Sequence, residues 1–446
     1  MTRGLVVVCC LMAATACGGG SEPAAPTMSM NAIAEQYVKL VLGMGEHDSA
    51  YVDAYYGPPE WKAEADKGQR PLADLDADAA RLIEALGKIN SFLAPGNTSE
   101  QLDRDRQMSH LRHDYLRRQL EALRSRVRML SGAKLSFDEE SQALYDAVAP
   151  SHPDSYFQGM LDDLDRRLPG KGPLVDRTEA FRKQFVVARD RLGKVFDLAI
   201  AECRRRTMLH LQLPETESFT VEYVTGKSWS GYNWYHGSYR SVIQVNTDLP
   251  IFIDRAIDLA CHEGYPGHHV YNALLEKNLT RDRDWPEFSV YALFSPQSLI
   301  AEGTANYGIE VAFSDAERRA FERDVLFPAA ALNPARVDEY YDFHDLIDRL
   351  SYAGNEAARR YLNGEIDRQT AVQWLTRFAL MSPERAEQRT RFFDDYRSYV
   401  INYNLGKDLV KQFIESRGGT DANPDKRWEE FIRLLGSPRL PSGLRQ

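Results

Sequence analysis

The chain is expected to form a mainly helical domain with one small β-sheet, and three observations predict it. Apolar residues recur every three or four positions among Arg, Asp and Glu over 31–44, 72–89, 100–130 and 174–211, the period of amphipathic helices. Between 218 and 248 the texture changes to the β-rich runs Thr220-Val221-Glu222-Tyr223-Val224 and Ser241-Val242-Ile243-Gln244-Val245-Asn246, with Gly226, Gly231 and Gly237 marking turns. From Met28 onward there is no apolar run of membrane length, no internal repeat and no second linker, so 28–446 is read as one domain with room for two lobes.

Taken in order, residues 1–16 form a signal peptide. Arg3 precedes an apolar core, Leu5 to Met12, too short to span a bilayer. It ends in Ala14-Thr15-Ala16-Cys17, which resembles the bacterial lipoprotein box with Ala14 where Leu is commoner, so Cys17 is the expected lipidation site. The Gly-, Ser- and Pro-rich stretch 17–27 is then a flexible tether. These features place the body in the cell envelope, facing the periplasm or exterior, with a lipid anchor as its one membrane contact.

The 446 residues are 43% hydrophobic and 27% charged, with 55 Lys and Arg against 65 Asp and Glu for a net charge of -10. Without a basic block, a nucleic-acid partner is excluded. Arg117-Arg118 and Arg204-Arg205-Arg206 are read as solvated helix faces. Cys9 and Cys10 leave with the leader; Cys203 and Cys261 remain in the body, where Cys261 is read as a buried core thiol and pairing with Cys203 is left open.

Helical texture returns at Pro250 and runs to Cys261, leading into His262-Glu263-Gly264-Tyr265-Pro266-Gly267-His268-His269. Zinc hydrolases commonly use H-E-x-x-H, in which two His share a helix face and the Glu is the base. Here the spacing is longer. On a regular helix His268 would lie about 9 Å along the axis and on the far side from His262; His269 would share its face about 10.5 Å away. One zinc cannot bridge either distance, so the helix must break. Pro266 has no N–H for the carbonyl of His262, and Gly267 tolerates the torsions of a break. Pro-Gly is thus a two-residue insertion that makes His262 and His268 the ligands. His269 competes as second ligand and otherwise supports a ligand from behind or faces the substrate. A catalytic zinc takes three protein ligands and keeps one position open. Glu302, in a helical segment rich in small residues, is the third; Glu310, two turns on, is a surface or supporting group.

These motifs, with Glu302-Gly303, Ala305 and Tyr307, resemble the bacterial family catalogued as domain of unknown function 885, whose signature is H-E-x-x-P-G-H-H followed by E-G-W-A-x-Y. Thr304 departs from it where the family has Trp. A third segment, P-G-Q-A-x-x-Y-x-x-G, is matched in part by Tyr361 and Gly364. The resemblance implies a gluzincin-like metallopeptidase: mostly helical, with a small sheet beside the active-site helix and a deep cleft.

The expected function is zinc-dependent hydrolysis of a peptide amide, with one zinc per chain polarising the carbonyl and Glu263 taking the proton of the attacking water. Tyr361 is the candidate donor to the oxyanion. The strand ending at Asn246 could align an extended peptide by edge pairing, and Arg397 could grip a peptide carboxylate. Two other readings stand beside this one: a zinc amidase acting on a small or cell-wall amide, and an anchored protein that binds metal or ligand without catalysis. Substrate, exo or endo mode and oligomeric state are not encoded in any motif.

Overall fold

The computed structural model describes residue 1, 28–89 and 100–445; the signal peptide, the lipidation site Cys17 and the tether expected over 1–27 lie outside the described residues, Met1 apart. The body is mainly helical with small sheets. Among the described residues no helix is long and apolar enough to cross a membrane.

The amphipathic stretches fold as their periodicity demands. Met30–Gly45 starts at Ser29, whose hydroxyl accepts from the amide of Ala32 (3.2 Å), and buries Ile33, Tyr37, Val38 and Val41. Phe137–Tyr145 opens with a capping box between Ser136 and Glu139. The long helix Glu100–Leu130 is fastened to the centre by a buried bidentate pair, Arg112 to Glu287, at 2.6 and 3.0 Å. The span 174–211 departs from the expected continuous helix. It divides into Leu174–Arg182 and Arg189–Met208 because Val186 and Val187 are extended and bond to Phe252 and Ile251.

Among the described residues five short strands make two sheets. β1 (Val52–Tyr55) pairs antiparallel with β5 (Val290–Ala292). In the other sheet β4 (Arg240–Asn246) is central, parallel to β2 (Ser218–Val224) and antiparallel to β3 (Gly231–Tyr235). Gly226 and Gly237 sit at positive φ in the expected turns, whereas Gly231 begins a strand. This order corrects the expectation for Asn246: β4 is paired on both sides and has no edge to offer. The Asn246 amide is spent on the carbonyls of Lys227 (3.0 Å) and Trp229 (2.8 Å).

The sheet leads into the helix Asp254–Leu259, which widens into a π-helical turn, Ala260–Gly264. Across the core lies the helix Pro296–Ala312, which carries Glu302. It packs on Ile401–Glu415 through two glycines: a Cβ on Gly303 would stand 2.5 Å from the carbonyl carbon of Gly406. The small residues around Glu302 therefore serve the close helix approach that the sequence suggested. Thr304 is fully buried in this same helix, its hydroxyl bonded to the carbonyl of Ile300 (2.8 Å).

Candidate metal centre

The helix break places His262 and His268 together. The π turn ends at Gly264, Tyr265 is extended, the Tyr265–Pro266 peptide is cis, and a new helix begins at His268. Gly267 is sterically required: a Cβ there would stand 1.8 Å from the carbonyl oxygen of His262. The amide of Gly267 instead donates to the carbonyl of Cys261 (2.9 Å). The sequence-level expectation that Pro266 and Gly267 break the helix thus matches the local geometry.

The two Nε2 atoms of His262 and His268 are 3.2 Å apart, and Glu302 Oε2 lies 3.2 Å from the first and 3.6 Å from the second. Ligand atoms about 2.0–2.1 Å from a tetrahedral zinc are separated by about 3.3 Å, so this triangle has the size of one face of such a shell. Glu302 Oε2 is also a buried oxygen that accepts no well-aligned hydrogen bond, whereas its partner Oε1 accepts from the hydroxyl of Tyr399 (2.8 Å). An orphaned carboxylate oxygen facing two imidazole nitrogens is the donor set a zinc ion fits.

The surroundings orient these donors. Asn306 gives its NH2 to the carbonyl of Tyr403 (3.2 Å), which turns its Oδ1 to His262 Nδ1 (3.1 Å). His262 therefore donates from Nδ1 and leaves the lone pair of Nε2 to the site. Glu263 Oε1 stands further back, 4.0 Å from His262 Nε2. Asn233 on β3 donates to the backbone carbonyl of Glu263 (2.7 Å), and β3 passes so near that a Cβ on Gly231 would lie 2.7 Å from Glu263 Oε1.

The charges are strongly coupled. Burial would raise the Glu302 carboxyl, but the imidazoles of His268 and His262 hold it well below the usual carboxylate range. Burial lowers His268, yet Glu302 and Glu263 outweigh it and push the imidazole up to about 9. Glu263 is raised by burial, with His262 and His268 opposing. A third carboxylate that the sequence did not single out, Asp53 on β1, adds its charge to the same group. Burial pushes it up to about 6 against the hydrogen bond from the Tyr232 hydroxyl and the charge of His268.

Other expected site residues lie elsewhere. His269 is fully buried, with Nδ1 2.9 Å from Ser241 Oγ and Nε2 3.0 Å from Glu217 Oε2. Both its nitrogens are engaged, so it is neither a ligand nor a substrate contact. Tyr361 donates to Asp394 (2.9 Å) and accepts from Arg368 (3.3 Å); Asp394 in turn lines a surface cavity of 430 Å³ with Lys227, Trp229 and Arg391. Tyr399 donates to Glu302 Oε1 (2.8 Å), and the Tyr403 phenol feels the charges of Glu302 and Glu263. Arg397 is committed to the buried Glu140 (2.7 Å), which also accepts from the amide and hydroxyl of Ser398. Glu310 is held by Lys407 (2.6 Å) and Lys411 (2.8 Å). Cys261 is not a free thiol: it forms a disulfide with Cys203, with Cα atoms 5.7 Å apart, tying the π turn to Arg189–Met208.

Asp53, Tyr232, Tyr399 and Asn306 carried no local signal of a site. Each is a single polar residue whose partners lie far away in sequence, drawn in by the fold.

No protein-family model matches the chain, and comparison with curated proteins gives no match. Among solved structures, a putative lipoprotein from Colwellia psychrerythraea aligns at 15% identity and a TM-score of 0.49, over 86% of this chain and 70% of that one. A putative lipoprotein of unknown function from Shewanella oneidensis aligns at 13% identity and a TM-score of 0.46, over 94% of this chain and 88% of that one.

Proposed function

We propose that this chain is a zinc-dependent peptidase, anchored in the cell envelope through Cys17. The observation that carries the reading is the triangle of His262 Nε2, His268 Nε2 and Glu302 Oε2, with its orphaned oxygen. Those three residues would hold the ion. Bound there, it would polarise an amide carbonyl and make a water molecule a nucleophile at neutral pH.

The chain's own groups supply the rest. Glu263 stands one step outside the triangle, where a base belongs: it takes the proton of the attacking water and returns it to the leaving nitrogen. Tyr399 fixes the rotation of the Glu302 carboxylate through Oε1. Tyr403, coupled to both Glu302 and Glu263, takes the place expected of Tyr361 as donor to the developing oxyanion. β3, an edge of its sheet beside Glu263, takes the place expected of Asn246 in aligning an extended peptide. Three ligands with an adjacent free carboxylate favour a catalytic over a closed structural zinc site, which usually has four protein ligands.

Purified protein should hold about one zinc per chain and cleave a peptide mixture in a chelator-sensitive manner. His262→Ala should lose the metal. Full metal retention by that variant, or hydrolysis indifferent to chelator, would overturn the assignment.

A further inference from the structure

We propose that Asp53 binds the free ammonium group of a peptide's amino terminus, so that the enzyme is an amino-terminal exopeptidase; this rests on the peptidase reading above. The placement of Asp53 is specific. β1 pairs with β5 at Val52 with Ala292 and then at Ala54 with Tyr291, leaving Asp53 as the extra residue of a bulge. A bulge re-aims a side chain, and the hydrogen bond from Tyr232, the neighbour of the Gly231 that abuts Glu263 Oε1, sets the Asp53 carboxylate where the charges of His268, Glu302 and Glu263 reach it. The Tyr232 hydroxyl donates to one of its oxygens and fixes its direction.

The charge balance then asks for a cation. Asp53 interacts with His268, with the carboxylates of Glu302 and Glu263, and with the hydroxyls of Tyr232, Tyr291 and Tyr396. Of the guanidinium groups on neighbouring elements, Arg255 pairs with Asp258 (3.3 Å) and reaches Glu263 only through its charge, and Arg389 lies over the rings of Phe392, Phe393 and Tyr403. With a dication on two neutral imidazoles, three carboxylates leave one negative charge uncompensated in a recessed site. A desolvated carboxylate without a counter-charge is unfavourable, and a substrate ammonium removes the imbalance. In a peptide without Lys or Arg, the amino terminus is the one cation close to an amide.

The test uses zinc-loaded full-length protein and Lys- and Arg-free tetrapeptides with free, acetylated or amidated ends. Acetylating the amino terminus should lower kcat/KM about a hundredfold, mainly through KM, whereas amidating the carboxyl end should change it little. Asp53→Asn should retain zinc and bring the free peptide down to the acetylated level, with Asp53→Glu restoring part of the preference. Titration calorimetry on Glu263→Gln should show a preference of the same sign in binding without turnover, reduced because one of the three carboxylates is gone. Equal cleavage of free and acetylated peptides by the wild type, or sensitivity to amidation instead, would overturn the assignment to Asp53. Amine-dependent binding without any hydrolysis would remove the peptidase reading and leave the ammonium site standing.

Discussion

Among the described residues two clusters have three residues close enough to hold a metal, and they differ in what their lone pairs are doing. In the first, His262, Glu263 and His268 meet Glu302, and Glu302 Oε2 accepts no well-aligned bond. In the second, Asp254, Asp258 and His344 lie as near to one another. There, Asp254 accepts from the Tyr340 hydroxyl (2.5 Å) and stands 3.2 Å from His344 Nε2, while Asp258 accepts from Arg318 (2.8 Å) and Arg255 (3.3 Å). Proximity is common to both; unused donor capacity belongs to the first. The second is a satisfied ion-pair network that fastens the root of the helix to its neighbours.

The comparison can be broken in four places. Glu263→Gln should retain zinc and reduce peptide hydrolysis about a thousandfold, because it removes the base without touching the triangle. Steady-state rates on metal-quantified protein check this, and unchanged turnover would assign the proton transfer elsewhere. Glu302→Gln should weaken zinc binding about a hundredfold in a competition titration, since it replaces the orphaned anionic oxygen with a neutral amide. Asn306→Ala should weaken zinc about tenfold, because His262 then loses the acceptor that sets its tautomer. In the second cluster His344→Gln should leave zinc content unchanged and alter the pH dependence of stability.

The sign of that last effect follows from the imidazole. Burial lowers His344, but Asp348 and Asp254 outweigh it and push it up to about 9. Its contribution is therefore fully present below about pH 6.5, its ordinary value, and is lost as pH rises through 9. Denaturant titrations should show the wild type losing about 1–2 kcal/mol more than His344→Gln over that window. Equal losses would mean that the pair contributes nothing.

The contrast also shows what was legible beforehand. His262, Glu263 and His268 stand within seven residues, and Pro266-Gly267 announces the distortion that joins them, so local chemistry was enough. Glu302 was singled out because two histidines ask for a third ligand, and the fold sets it beside them. Asp53 lies more than two hundred residues earlier in a four-residue strand too short to show alternation, and only the bulge turns it inward. Tyr361 entered through a partial motif match and Arg397 through its chemistry; the fold gave the first to Asp394 and the second to Glu140. The amphipathic helices were legible because periodicity is a property of each segment. The two-sided pairing of β4, which disqualifies Asn246, depends on a strand that looked like a turn.

The disulfide has a consequence for how unfolding can be followed. Cys203 and Cys261 are both at 0% exposure, one on a long helix and one beside the first histidine. A soluble thiol cannot attack a sulfur it cannot touch, so reduction must wait for the core to open around it. The rate at which a reductant cleaves this crosslink is therefore a clock for that opening, and zinc or substrate that stabilises the closed protein should slow it.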